Sequence, residues 1–171
     1  MRKGFSLIET LVAVSILSLM LTGAVALMQQ TLQISSKLKS DTTAVFLAQE
    51  GLELIRWQRD TNRMNGDSWM EDIHPGDPCG NANGCIADLD ISDGELELDS
   101  CGGGGCPLLR FDPVTKIYNY TVGGNSVYRR TIRTFNVPGP QPEVRVRVTV
   151  NWTTKFGARS YVVEENLLDW Q

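Results

Sequence analysis

The chain has little of several residue types, and each shortage excludes a class of protein. Its 171 residues include one histidine and four cysteines, which leaves little material for a metalloenzyme. Acidic residues outnumber basic ones by 20 to 16, so the formal net charge is -4 and nucleic acid is not the default partner. A mean hydropathy of -0.16 excludes a protein that crosses a membrane many times. No proline precedes Pro75, so none interrupts a helix before that residue.

The N-terminus holds a long apolar segment. Residues 5–28 are mostly apolar, Glu9 is their only charged residue, and Arg2 and Lys3 come immediately before them. As a helix, this segment would rise about 36 Å, which is enough to cross the hydrocarbon core of a bilayer. The basic pair favours a cytoplasmic N-terminus. We therefore predict a single-pass membrane protein whose C-terminus lies outside the cytoplasm.

Glu9 is the anomaly in this segment. A carboxylate within an apolar transmembrane helix costs about 3 kcal/mol on insertion scales unless it finds a partner. Glu9 either lies at the depth of the lipid headgroups or is neutralised by a neighbouring cation. In a helix assembly, that cation could be the N-terminal amine of an adjacent copy, and we favour this second interpretation.

The same residues resemble a known processing site. Lys3-Gly4-Phe5-Ser6-Leu7-Ile8-Glu9 is similar to the cleavage and methylation site of type IV prepilins and of type II secretion pseudopilins. The resemblance implies that a prepilin peptidase, which is also the N-methyltransferase, cleaves between Gly4 and Phe5 and that Phe5 becomes methylated. Arg2 and Lys3 match the leader charge. Glu9 matches the glutamate that is thought to pair with a neighbouring subunit's N-terminus during filament growth.

Two other interpretations compete with this one. Ala24-Val25-Ala26 offers a cleavage site for an ordinary secretory signal peptide. The segment could also be an uncleaved anchor on another kind of protein. We favour the prepilin, because Glu9 interrupts the apolar region near its start and the helical pattern continues past residue 28. Sequencing the mature N-terminus separates the two cleavages, since Phe5 comes first after one and Leu27 after the other.

The helical pattern extends to about Arg59. Apolar residues recur on one broad stripe of the segment 29–59, which predicts an amphipathic helix packed on a sheet. The stripe consists of Ile34, Leu38, Val45, Ala48, Leu52 and Ile55. Gly23 and Gly51 are the candidate positions for local flexibility of this helix. A single helix from Phe5 to about Arg59 fits the pilin architecture, although the chain lacks the proline that breaks this helix in many pilins. The stretch 47–56 is similar to minor pilins.

The middle of the chain is acidic and rich in turn residues. Residues 60–112 have a net charge of -10, and we expect a long loop with one short strand near Glu95–Leu98. All four cysteines lie here, at positions 79, 85, 101 and 106. Their spacing is wider than in usual zinc sites, and a segment outside the cytoplasm favours disulfides. Of the three possible connectivities, we favour Cys79–Cys85 with Cys101–Cys106, since short loops close at low entropic cost.

One acidic string within this segment suggests calcium. Asp88–Glu95 offers clustered oxygen ligands, but Asp93 stands where an EF-hand loop needs glycine. We expect a solvated acidic turn and no cofactor. His74 is interpreted as an ordinary loop residue.

The C-terminal third predicts an antiparallel sheet. From Val144 to Thr153, apolar and polar residues alternate strictly, and the segment around Gly157 predicts a hairpin turn into a strand over residues 159–168. Earlier strands are expected at 108–111, 116–122 and 127–137, with a tight turn at 123–125. We predict one meander whose apolar face covers the helix, and therefore an α+β, pilin-like fold.

The opposite face of this sheet is basic. It contains Arg129, Arg133, Arg145 and Arg147, and residues 114–171 have a net charge of +4. The face could be simply solvated, could dock on the acidic loop of a neighbouring subunit, or could bind DNA. We expect a solvated face and do not expect nucleic acid as a partner.

No pattern of catalytic residues is found, so we do not expect an enzyme. The expected organisation is a leader at 1–4, a transmembrane and filament-core helix at 5–28, an amphipathic helix at 29–59, an acidic disulfide-bearing loop at 60–107 and a sheet at 108–171. The resemblance implies a structural subunit, a minor pilin or pseudopilin, that is processed and assembled at the inner membrane. Its implied partners are other subunits, the peptidase, the assembly platform and membrane lipid, and its destination is a pilus or periplasmic pseudopilus. The alternative is a membrane-anchored extracytoplasmic binding module that never assembles.

Overall fold

The computed structural model describes Gly4, residues 6–89 and residues 94–169. Helix α1 spans Leu7–Asn65, which confirms a long N-terminal helix and extends it six residues past Arg59. The predicted start at Phe5 lies outside the described residues. The chain divides into two compact units, Met1–Thr42 and Thr43–Gln171.

In the first unit, the described residues from Leu7 onward are helical, and nearly all are exposed. Ile34 and Leu38 are among the exposed apolar side chains, so the predicted buried stripe does not reach them. Residues on every side of this part of the helix are exposed, so Ile34 and Leu38 are uncovered because no described residue packs on them and not because of their position on the helix.

In the second unit, α1 buries one side against a sheet. The buried helical residues recur every three or four positions, and they are Ala44, Leu47, Ala48, Gly51, Leu52, Ile55, Arg59 and Asn62. Gly51 has a packing role, because a Cβ at this position would lie 2.9 Å from Cγ1 of Val148. Small residues on this face thus allow the helix backbone to approach the sheet.

The sheet under the helix has five antiparallel strands. Along the chain, the strands of this and a second, smaller sheet are β1 Cys85–Leu89, β2 Leu96–Ser100, β3 Arg110–Phe111, β4 Tyr118–Asn119, β5 Gly124–Asn125, β6 Tyr128–Asn136, β7 Glu143–Thr154 and β8 Gly157–Leu168. The main sheet has the order β2-β1-β6-β7-β8. The inward valines of β7 are fully buried, which confirms the alternating pattern.

The predicted hairpin between the last two strands is also confirmed. Thr154 pairs with Gly157, and the pairing continues to Glu143 and Leu168. Gly157 has a φ of +104°, a conformation that a side chain disfavours, so glycine is the appropriate residue at this end of the turn.

The prediction of a single meander is wrong. Strands β3, β4 and β5 form a separate three-stranded sheet in the order β4-β3-β5. Only Tyr118–Asn119 of the predicted strand 116–122 is extended and paired, because the Asn119 side chain accepts hydrogen bonds from the backbone of Thr121 and Val122. Residues Gly124–Asn125 pair with β3 and are not the tight turn we predicted.

The prediction of a loop from 60 to 112 is only partly correct. The strand expected near Glu95–Leu98 is present as β2, but β1 was missed. The two strands form a hairpin that joins the main sheet through a pair between Cys85 and Ile132. Cys85, Ile86 and Ala87 are consecutive apolar residues, so β1 lacks the strict alternation of apolar and polar residues by which a strand is recognised.

Candidate functional site

The first turn of α1 presents an open stretch of chain. Gly4 and Ser6 are exposed, and a Cβ built on Gly4 would meet no atom within 4 Å. The Ser6 carbonyl accepts the backbone N–H of Thr10 at 3.2 Å, which fixes the start of the helix just after the predicted cleavage position. Phe5, Arg2 and Lys3 lie outside the described residues.

Glu9 lies in this first turn with an exposed side chain. A carboxylate here is stabilised by the helix macrodipole by about 0.3–1 kcal/mol. Within the described part of the chain, it forms no ion pair and no side-chain hydrogen bond. The carboxylate is therefore open to a cation supplied from elsewhere.

The hydroxyl groups of the apolar segment behave differently from Glu9. Between Leu7 and Met28, every serine and threonine donates to a carbonyl of its own helix three or four residues earlier. These residues are Thr10, Ser15, Ser18 and Thr22. Each hydroxyl group can thus enter an apolar environment with its proton already hydrogen-bonded. Among the polar side chains between Leu7 and Met28, Glu9 is the one without a hydrogen bond to a described residue.

The apolar segment meets the requirements of a membrane span. Among the described residues, α1 is one helix that is long and apolar enough to cross a bilayer, and the side chains of its most apolar stretch are not buried within the protein. A helix that is apolar on all sides and uncovered suits lipid or a helix assembly. This finding agrees with the membrane anchoring typical of prepilins.

The four cysteines form two disulfides, Cys79–Cys85 and Cys101–Cys106, the connectivity favoured from the sequence. Both lie at the open end of the β1–β2 hairpin, where the Cys101 backbone N–H donates to the Gly84 carbonyl at 2.8 Å. The first disulfide joins the start of β1 to a single 3-10 turn at Pro78–Gly80. The bridges therefore hold together a segment that has few apolar residues of its own.

The acidic string that suggested calcium is only partly described, because residues 90–93 lie outside the described ranges. The Asp88 carboxylate accepts the backbone N–H of Tyr120 at 3.2 Å, which gives it a role in joining the two sheets. Within the residues that the structure describes, no group of three or more histidine, cysteine or acidic side chains is placed to hold a metal ion. His74 lies in a turn, where its Nδ1 accepts the backbone N–H of Gly76.

The four predicted arginines lie on the face of the main sheet that points away from α1. Arg133 and Arg147 are directly paired across β6 and β7, and their guanidinium groups lie 4.9 and 5.1 Å from the centre of the Phe135 ring. Arg147 also forms an ion pair with Glu164, and Arg145 donates to Asn166. Much of this face is thus partly covered by its own side chains.

Sequence analysis missed a buried arginine. Arg130 is only 2% exposed; its Nη1 lies 3.3 Å from Oε1 of Glu50, and its Nη2 donates to the Ala87 carbonyl at 2.9 Å. These contacts connect α1, β6 and β1. Burial raises the pKa of the nearby Tyr120, and the Arg130 charge opposes that rise. The available signal was the alternation of β6, which places Arg130 on the same inward side as Tyr128 and Ile132.

Comparison with known proteins adds one match, which lies at the site just described. Residues 1–25 match the family model of the prokaryotic N-terminal methylation motif. No curated protein and no solved structure matches the chain. The N-terminus therefore carries the type IV prepilin signature, which indicates a type IV pilin-like precursor.

Proposed function

We propose that the protein is a structural, non-catalytic subunit, a minor pilin or pseudopilin, of a type IV pilus or type II secretion-like filament. The observation that carries this proposal is Glu9, a carboxylate that pairs with no described residue, at the start of an uncovered apolar helix that bears the methylation motif. The lack of the proline found in many pilins, the acidic cysteine-bearing segment and the similarity of residues 47–56 favour a minor subunit over the bulk one.

The proposed mechanism starts at the inner membrane. A prepilin peptidase cleaves between Gly4 and Phe5, and the new amine at Phe5 becomes methylated but keeps its positive charge. That amine then lies within a few residues of the membrane–water boundary. The Glu9 carboxylate of an adjacent subunit is its complementary charge.

The ion pair between the Phe5 amine of one subunit and Glu9 of the next fixes where the two subunits align along the filament. Lipid tails are as apolar as leucine, so moving the apolar segment from lipid into a bundle of helices gains little hydrophobic energy. The helix bundle is instead favoured over lipid by side-chain packing and by the neutralisation of Glu9. An unpaired carboxylate in an apolar medium costs about 3 kcal/mol. The hydroxyl groups of the apolar segment do not compete with Glu9 for the neighbouring amine, because each already donates a hydrogen bond within the helix. They belong to Thr10, Ser15, Ser18 and Thr22.

Replacing Glu9 tests this mechanism. Glu9→Ala in the full chain, expressed beside an assembly machinery, should still insert and be cleaved, but its sheared filament fraction should fall at least about tenfold, given the cost of an unpaired carboxylate. Thr10→Val is the matched control, because it changes the adjacent exposed position without touching a charge. Measurements are membrane fractionation, N-terminal sequencing and cross-linking between copies.

Other outcomes point to the competing functions. A parent chain that inserts but never cross-links to a filament subunit supports the membrane-anchored binding module. A mature N-terminus at Leu27 supports a signal peptide and refutes the subunit. Equal assembly of the parent and of Glu9→Ala refutes the role given to Glu9.

A further inference from the structure

Helix α1 covers the middle of the main sheet but not its edge strand β8. The inward valines of β7 are fully buried, whereas Tyr161, Val163 and Glu165, which pair with three of them and lie on the same side of the sheet, stay partly exposed. A groove of about 620 Å³ lies between α1 and this part of β8. The sheet ends at β8 among the described strands, so none of them closes the groove on that side.

Apolar side chains line part of this groove. Phe46 and Leu52 reach it from α1, and Val163 reaches it from β8. Leu52 and Val163 belong to the packed core or lie against it, but Phe46 is 65% exposed. Removing an aromatic side chain from water stabilises a contact between proteins. Phe46 therefore offers apolar area that a partner can bury.

Carboxylates outnumber cations in the same groove. Arg56 forms ion pairs with both Glu53 and Glu165, and its Nε donates to Oε1 of Glu165 at 3.0 Å. One guanidinium group shared by two carboxylates leaves a net negative charge, and Glu53 remains 64% exposed. The other two carboxylates in the lining, Glu50 and Glu164, pair with arginines outside it. The groove therefore favours a partner that is both apolar and basic.

The first unit carries a surface of this kind. Ile34 and Leu38 are 50% and 58% exposed, although both extend the apolar stripe beyond the membrane-spanning segment. Lys37 is also exposed and, like Leu38, lies about one turn after Ile34, so the three side chains share one face of the helix. Between Leu7 and Thr42, the sequence has one other base, Lys39, and the helical rotation places it on a different side.

We propose that the groove between α1 and β8 of one copy binds the face formed by Ile34, Lys37 and Leu38 of a second copy. In this contact Lys37 lies beside Glu53, and the two apolar side chains cover Phe46. Opposite charge and two exposed apolar surfaces make the halves complementary. The contact rests on the filament function proposed above, because it needs copies side by side, but Glu9 takes no part in it.

Cross-linking between two differently tagged full chains tests the contact. One chain carries Leu38→Cys, the other carries Phe46→Cys, and both are expressed beside an assembly machinery. Both positions are exposed and the four native cysteines are held in disulfides, so the added thiols are the reactive ones. A short thiol-reactive cross-linker should join the two chains in filaments. Ile16→Cys in both chains reports separately on contact between the apolar segments.

Charge variants then test the pairing itself. Lys37→Glu in the first chain should lower the yield of the cross-link between positions 38 and 46 by about fivefold, because attraction to Glu53 becomes repulsion. Adding Glu53→Lys to the second chain should restore the yield to within about twofold of the parent value. Lys39→Glu is the matched control, since it reverses the same charge on another side of the helix and should change the yield by less than about twofold.

Several results would overturn the contact. Equal losses from Lys37→Glu and Lys39→Glu would mean general charge attraction, and a cross-link from Phe46→Cys to a different protein would assign the groove to that partner. Filaments that cross-link through Ile16→Cys but not between positions 38 and 46 would refute the groove contact and leave the filament function standing. Loss of both cross-links would refute the two together. Because Glu53→Lys also removes a partner of Arg56, the unfolding midpoint of that chain is measured beside its cross-links.

Discussion

Two stretches of α1 have the same secondary structure but different sequence patterns. Residues 7–28 are largely apolar on all sides of the helix, residues 29–42 are mostly polar, and both stay almost wholly exposed, whereas residues 43–65 bury a single narrow face. The first stretch satisfies its hydroxyls within the helix, and the second uses Ala44, Ala48 and Gly51 to approach the sheet. Burial within the chain therefore follows contact with the sheet and not the total apolar content of the helix.

The comparison shows where each kind of hydrophobicity acts. The apolar surface of the second stretch is removed from water by β6 and β7, and it stabilises this fold by roughly 25 cal/mol per Å². The most apolar part of the first stretch is not buried among the described residues, so its apolar surface adds nothing comparable to the stability of the folded second unit. Paired substitutions, one in each stretch, test this division.

The largest effect is expected from shortening a buried isoleucine. Ile55 is fully buried and Ile16 is about half exposed. Ile55→Ala should lower the free energy of unfolding of the second unit by about 2–5 kcal/mol, because it removes buried methyl groups and leaves a cavity. Ile16→Ala should leave that free energy unchanged within about 0.5 kcal/mol.

Denaturant titration of the full chain in detergent, followed by tryptophan fluorescence, measures both values, since Trp69 and Trp152 are buried in the second unit. A comparable loss in Ile16→Ala would break the comparison, because it would mean that the first stretch also supports the folded core.

A smaller effect is expected from adding one methyl group to each helical glycine. Gly51→Ala places its Cβ 2.9 Å from Cγ1 of the fully buried Val148, so a net loss of about 1–3 kcal/mol is expected despite the better helix propensity. At Gly23, a Cβ meets nothing within 4 Å, and alanine should be neutral or slightly stabilising. The same denaturant titration measures the free energy of unfolding of both variants. Equal values for Gly51→Ala and Gly23→Ala would contradict the close approach of the helix to the sheet at Gly51.

The sequence predicted the features that depend on local patterns. The processing motif is linear, the alternation of β7 is local, and the favoured disulfides close short loops. It did not predict β1 or the small sheet, because the residues of β1 do not alternate strictly between apolar and polar and each strand of the small sheet has only two residues. It did not predict the burial of Arg130, because that burial depends on partners far along the chain. Arg130 becomes a core residue only when Ala87 and Glu50 come to it from two other elements.

The smallest expected effect concerns how the stability of the second unit depends on pH. The Asp112 carboxylate accepts hydrogen bonds from the Val114 backbone and the Thr115 hydroxyl, and the first of these is the main reason that its pKa is lowered. A lowered pKa in the folded state adds stability above the unfolded pKa of about 3.9, and that stability is lost as the pH falls through the folded value. Asp112→Asn should therefore be less stable than the parent at pH 7, and the difference should shrink below about pH 4.

Unfolding midpoints of the two chains at neutral and acid pH measure this convergence. Asp67→Asn is the matched control, because the Asp67 carboxylate makes no hydrogen bond to a described residue and its replacement should leave the midpoints unchanged at both pH values. A difference in unfolding midpoint between Asp112→Asn and the parent that stays constant across the acid range would mean that the charge of Asp112 does not stabilise the turn.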